Sequence, residues 1–254
     1  MSELQTSLET QMRALKLPGM LTSYREFADA AAVGKLCYEE YLSLLLQEEL
    51  RGKTERSTMT KIHKARFPFI KTLEEFDFSF QPGLGEKEIL HLGSLDFIES
   101  KGNLIFLGPP GVGKTHLAIG FGVRACKARY RVLFITAQKL IEELMLSLRD
   151  GSIASRLLFY SRLNLLIIDE LGYMPITKEQ ANLLFQLISM RYERGSIILT
   201  SNYNFEDWGK VFQDDVVAAA IIDRLVHHAK IFYINGTSYR LKDKLKNHLK
   251  GGQI

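Results

Sequence analysis

From Leu4 to about Arg66 the apolar residues recur at the spacing of one helix face: Leu4, Leu8, Met12 and Leu15, then Tyr41, Leu44 and Leu45. Pro18-Gly19 punctuates the first two segments. The pattern predicts a small all-helical domain over residues 1–66. It breaks at Arg66-Phe67-Pro68-Phe69 and again at Pro82-Gly83, because a proline disfavours helix in the residue before it. Residues 67–85 are therefore read as a linker, and their aromatic content predicts that it docks on its neighbour.

Beyond the linker the rhythm changes. Short apolar runs at Asn103 to Leu107, Val132 to Thr136, Leu165 to Ile168, Ser196 to Thr200 and Ile231 to Ile234 are separated by longer helical stretches. Runs that are continuously apolar fit strands buried on both faces, and helical crossovers make neighbouring strands parallel. Residues 86–254 are thus expected to form an α/β domain with a five-stranded parallel sheet flanked by helices. No internal repeat or low-complexity segment competes with this reading.

Composition narrows the class. A chain of 254 residues, 46% hydrophobic, can bury a sizeable core. No stretch approaches the roughly 18 apolar residues of a membrane span, and Met1 to Leu17 mixes Glu, Gln and Arg with Leu, unlike a secretory signal. A soluble, cytoplasmic protein without membrane contact is expected. Cys37 and Cys126 stand outside any CxxC or Cys/His cluster and are read as reduced thiols. Neither His227-His228 nor His63 has a second ligand partner at metal spacing, so these are read as structural or surface residues. The net charge of +4 is unevenly spread. Arg51, Lys53, Arg56, Lys61, Lys64, Arg66 and Lys71 share their window with one acid, Glu55, and a second basic cluster runs from Arg240 to Lys250. Such runs suit a polyanionic partner or a solvated helix face.

The chemistry begins at Gly108-Pro109-Pro110-Gly111-Val112-Gly113-Lys114-Thr115, which fits G-x-x-x-x-G-K-[ST] between a predicted strand and a helix. Prolines 109 and 110 have no N–H, so the amides of Gly111 to Thr115 must cradle phosphate, aided by the helix amino terminus. Lys114 is placed to reach the β- and γ-phosphates of ATP, and the Thr115 hydroxyl to ligate Mg²⁺. His116 follows directly. The strand Leu165 to Ile168 ends in Asp169-Glu170, at the sheet edge where α/β proteins hold ligands. Asp169 fits the Mg²⁺ shell, and Glu170 can accept a hydrogen bond from an attacking water. The next strand ends in Ser201-Asn202, putting a neutral amide at the same edge, to orient water, to touch the γ-phosphate or to cap its own turn. Arg224 and Arg240 are candidates for stabilising transition-state charge, or are surface arginines.

The GPPGVGKTH loop, the LLIIDELGYMP segment, the ILTSN strand, the IIDRL helix, the late GTSYR and the KTLEEFDF stretch (Lys71 to Phe78) together resemble the IstB-type insertion-sequence ATPases, AAA+ helpers of transposases. The resemblance spans nearly the whole chain. It implies an AAA+ fold with Asn202 at the sensor-one position, Arg224 as an arginine finger donated to a neighbouring subunit and Arg240 at sensor two, hence a homo-oligomer with ATP at its interfaces. It also implies kinship with bacterial helicase loaders and replication initiators, in which a helical segment between the second and third strands faces DNA. Here that segment is roughly Leu140 to Arg162, and Arg149, Arg156 and Arg162 become DNA-contact candidates beside Arg51, Lys53, Arg56, Lys61 and Lys64.

The implied function is an ATPase that assembles on duplex DNA, presents it to a transposase and disassembles on hydrolysis. A helicase loader and an ATP-gated scaffold that hardly needs hydrolysis are the alternatives.

Overall fold

The computed structural model describes residues 3–34 and 36–239. Arg240 and the basic cluster that it opens lie outside the described residues. The chain divides into two compact units between Thr60 and Lys61.

The first unit is helical. It holds α1 (Glu3–Ala14), α2 (Pro18–Ala32) and α3 (Tyr38–Lys64) as far as Thr60. The Glu49 side chain of α3 is 3% exposed, yet it is satisfied by cations and helix-end amides. It accepts from the first-turn amides of α2, Gly19 N at 2.7 Å and Met20 N at 3.2 Å, where a helix amino terminus attracts an anion. Arg56 at 3.3 Å and Lys53 at 3.8 Å complete its shell. Three of the basic candidates are thus in ion pairs, since Arg51 pairs with Glu48 at 2.5 Å and with Glu55 at 3.6 Å. Two of the three acids concerned, Glu48 and Glu49, sit just before the basic window and are invisible to a count taken inside it.

The second unit is an α/β layer structure. Strands β1 (Asn103–Leu107), β2 (Val132–Thr136), β3 (Leu165–Leu171), β4 (Ser196–Ser201) and β5 (Ala229–Tyr233) form one parallel sheet in the order β2-β3-β4-β1-β5. Because side chains alternate along a strand, Ile105, Leu133, Leu166 and Ile197 enter one apolar core while Leu104, Phe134, Ile167 and Ile198 enter the other. Both faces being covered explains the unbroken hydrophobicity of the runs. The helices are α4 (Glu86–Leu92), α5 (Asp96–Glu99), α6 (Lys114–Lys127), α7 (Ala137–Arg149), α8 (Ile153–Ser161), α9 (Lys178–Arg191), α10 (Trp208–Phe212) and α11 (Asp215–Val226).

Residues 61–85 pack within this unit. Ala65, Leu73, Phe76 and Leu84 are buried in the same core as the α6 residues Leu117 and Phe121. Ala65 O also accepts from Phe134 N at 2.8 Å, so the edge of β2, the outermost strand, is partly covered. No helix among the described residues is long and apolar enough to cross a membrane.

Candidate active site

β1 stops at Leu107 and α6 starts at Lys114, and the loop between them is shaped by glycine. Gly108 (φ 147°) lies so close to β5 that a Cβ on it would stand 2.2 Å from the Ile234 carbonyl oxygen. Gly113 (φ 102°) caps α6 in a left-handed conformation, and a Cβ there would meet the Phe76 ring at 2.5 Å. Only glycine adopts such conformations without strain. Lys114 follows, 7% exposed, with Nζ donating to Gly108 O (2.6 Å), Pro109 O (2.8 Å) and Asn202 Oδ1 (2.7 Å).

The strand order explains how Asn202 reaches that lysine. β4 lies between β1 and β3, so the end of β4 separates the loop from the acids. From β4, Thr200 Oγ1 donates to Asp169 Oδ1 at 2.6 Å, while Thr115 Oγ1 lies 3.0 Å from Asp169 Oδ1 and 3.1 Å from Oδ2. Burial pushes the Asp169 carboxyl above the ordinary aspartate value, against the opposing hydrogen bonds from Thr200 and Thr115 and the nearby charge of Lys114. A buried carboxylate touching a threonine hydroxyl offers hard oxygen donors, a set that suits Mg²⁺.

Two adjacent acids in one strand should face opposite sides, and here they are further separated by an irregularity. The β3–β4 register shifts between Ile168 and Leu171, Glu170 takes φ 61°, and its N–H donates to Thr200 Oγ1 at 2.9 Å. Asp169 stays 4% exposed whereas Glu170 is exposed and lines the cavity in front of the loop.

That cavity, about 320 Å³, is bounded by Gly111 to His116, Glu170, Thr200 and Asn202, and on its other side by Phe69, Phe76, Phe80 and Tyr239. The Phe80 and Tyr239 rings meet edge-on at 5.1 Å, Tyr239 N donates to Gly111 O at 2.9 Å, and Gln81 Nε2 donates to Thr237 O at 3.3 Å. His116 holds the near side of this roof: its Nε2 lies 2.8 Å from Thr72 O and its ring is edge-on to Phe76 at 5.3 Å. Burial pushes the His116 pKa down despite that hydrogen bond.

A glycine-shaped loop, a buried lysine, a threonine hydroxyl bonded to a buried carboxylate and an outward glutamate thus meet around one cavity. Residues 10–247 match the family described as IstB-like ATP binding protein. The chain belongs to that family. It is 46% identical over 239 residues to a Pseudomonas aeruginosa protein named for the insertion sequence IS21 and for ATP binding, covering 94% of this chain and 90% of that one. A Geobacillus stearothermophilus protein named for IS5376 and ATP binding is 43% identical, covering 91% and 92%. Among solved structures, AMPPCP-bound DnaA from Aquifex aeolicus superposes with a TM-score of 0.55 at 23% identity, covering 72% of this chain and 56% of the longer one. That likeness shows the fold, an AAA+ P-loop architecture, and the five parallel strands expected from sequence are its sheet.

The remaining candidates are scattered relative to this member of the IstB-like family's cavity. Arg224, on the last turn of α11, lines a narrow cleft with Asn103, Gly195 and Ile197, where β1 and β4 begin, at the opposite end of the sheet from Lys114. Its guanidinium lies 4.5 Å from the centre of the Phe185 ring. Arg149 ends α7 exposed and Arg162 caps α8 exposed, whereas Arg156 turns inward to Glu143 Oε2 (3.4 Å) and Ser147 Oγ (3.3 Å). Lys61 donates to Arg129 O at 2.8 Å, and Lys64 is exposed.

Sequence reasoning passed over Thr200, the roof aromatics and one surface cluster. Glu193, in the turn after α9, stands beside His227 and His228, with a ligand atom of each within 4.8 Å of the others. The two histidines do have a third potential ligand, contributed from a segment that linear spacing does not connect to them. For Thr200 the available signal was a hydroxyl closing an otherwise apolar strand.

Proposed function

We propose that this chain is an Mg²⁺-dependent ATPase that assembles on duplex DNA and assists the transposase of an insertion sequence, with hydrolysis driving disassembly. The observation that carries the reading is the convergence of Lys114, Thr115, Glu170 and Asn202 on one cavity, with the buried Asp169 carboxylate hydrogen-bonded to Thr115. The amides of Gly111 to Thr115 bind the phosphates, and Lys114 exchanges its carbonyl contacts for phosphate oxygens. Thr115 and Asp169 hold Mg²⁺, which neutralises phosphate charge when bound. Glu170 accepts a proton from the attacking water, Asn202 orients that water or the γ-phosphate, and the aromatic roof excludes solvent.

Arg224 cannot serve the cavity of its own chain from the far end of the sheet. Its role toward phosphate therefore requires a neighbouring copy, which supports the oligomeric reading. Arg240 is retained as the sensor-two candidate on the family resemblance alone. Membership of a family whose relatives are named for insertion sequences favours a transposase as client.

The test is the ATPase rate and light-scattering mass of wild type, Glu170→Gln and Arg224→Ala, with and without random-sequence duplex DNA. Glu170→Gln should keep ATP binding and lose turnover by about a hundredfold or more. Arg224→Ala should depress the rate of wild type when mixed into it, since every interface to which a variant subunit contributes then lacks one cation. A monomer whose turnover ignores both DNA and Arg224 defeats the proposal.

A further inference from the structure

Glu193, His227 and His228 have no part in the reading above, and they lie at the sheet end away from the cavity. Their segments are nonetheless firmly held. The α9 end is fixed by Arg191, fully buried, whose guanidinium donates to Tyr160 O (2.6 Å), Leu163 O (3.1 Å) and Ser196 O (2.6 Å). Arg194 N and Gly195 N return to Arg191 O at 2.9 and 3.0 Å, closing the turn that presents Glu193 in a left-handed conformation (φ 57°). On the other side, Asn103 N donates to His228 O at 2.8 Å, and the Asn103 side chain joins Leu225 O (2.9 Å) to Ile197 N (2.8 Å). The end of α11 is thereby stitched to the start of β4.

The side chains on these two supports converge, a ligand atom of each lying within 4.8 Å of the others. His228 Nε2 lies 3.3 Å from Glu193 Oε1. Two ligands about 2.0 Å from one tetrahedral ion stand at about that separation. The His227 ring is hydrogen-bonded through Nδ1 to the Tyr192 hydroxyl at 2.7 Å and lies 4.1 Å, centre to centre, from the His228 ring. Such a bond to the second ring nitrogen commonly orients a metal-binding imidazole. All three ligands are exposed, so a divalent ion can enter and keep a position open to water.

We propose that Glu193, His227 and His228 bind one divalent transition-metal ion of the zinc class, with Tyr192 orienting His227. Two imidazoles and one carboxylate form a borderline nitrogen–oxygen set that suits Zn²⁺, Co²⁺ or Ni²⁺, whereas Mg²⁺ requires oxygen donors throughout. The ion clamps the turn after α9 to the end of α11. His227 is three residues beyond Arg224, so the clamp fixes the helix end from which that arginine projects.

The experiment is equilibrium dialysis of the full chain against Zn²⁺ in excess Mg²⁺, with Co²⁺ absorption reporting coordination. Wild type should retain one equivalent and give the intense visible bands of low-coordinate Co²⁺. The double variant His227→Ala, His228→Ala should lose that equivalent while keeping its ATP binding, and Glu193→Gln gives an independent check should the double variant misfold. Tyr192→Phe should weaken binding about tenfold, as removal of an orienting partner does. A wild type that retains no zinc, or a double variant and Glu193→Gln that both retain it unchanged, overturns the site.

Discussion

At Asp169 the requirements of folding and of chemistry oppose each other. The carboxylate is buried and its charge is disfavoured, with Thr115 and Thr200 as its hydrogen-bonding partners and Lys114 as the nearby cation. A raised folded pKa means that ionisation costs stability at neutral pH, and this cost shrinks as pH falls through the folded value and is gone below the unfolded one. Asp169→Asn should therefore raise the melting temperature of the nucleotide-free protein at pH 7 while abolishing turnover; calorimetry and a phosphate-release assay check both. An unchanged or lowered melting temperature would mean that the hydroxyls and Lys114 already compensate the charge. Individual residues were legible where a loop signature and its flanking elements coincide, as from Gly108 to Thr115, or where acids end an apolar run, as at Asp169-Glu170. Thr200 was not, because its importance comes from β4 lying between β1 and β3, and strand order is not written in any local pattern. Glu193 was hidden for the same kind of reason: its neighbours are supplied by another segment.

Elements were legible in proportion to how completely their environment is apolar. All five strands show in the sequence because both sheet faces are covered, yet β3 runs on through Leu171, past the acids that end its apolar stretch. Its continuation depends on the register shift beside Glu170, which composition does not encode. α11 illustrates a boundary set by a polar group. Asp214 Oδ1 accepts from Val216 N at 3.0 Å and Val217 N at 3.1 Å, and the Val217 bond foremost holds its carboxyl below the ordinary aspartate value. A depressed folded pKa contributes stability that is present above the unfolded value and is lost as pH falls through the folded one. Asp214→Ala should lower the melting temperature at pH 7 and make progressively less difference as the medium is acidified below the ordinary aspartate range. A difference that persists undiminished in acid would show that the cap acts by shape alone.

For the molecule as a whole, charge is less available than its sequence distribution suggests. Arg51, Lys53 and Arg56 are paired with acids of their own helix, and Arg156 is tied to Glu143, leaving Arg149 and Arg162 as the exposed arginines of the α7–α8 segment. If DNA lies there, the double variant Arg149→Ala, Arg162→Ala should weaken binding to unrelated duplexes alike and reduce the salt slope by about 2. Arg156→Ala should cost stability more than affinity. Equal DNA binding by wild type and the Arg149/Arg162 variant, measured across salt, would move the contact elsewhere. The cavity adds a constraint of a different kind. Its roof joins Gln81 to Thr237, 156 residues apart, and Phe80 to Tyr239. A ribosome delivers the first of each pair long before the second. The nascent chain thus carries its glycine loop and acids without this part of their roof until Thr237 and Tyr239 have been translated.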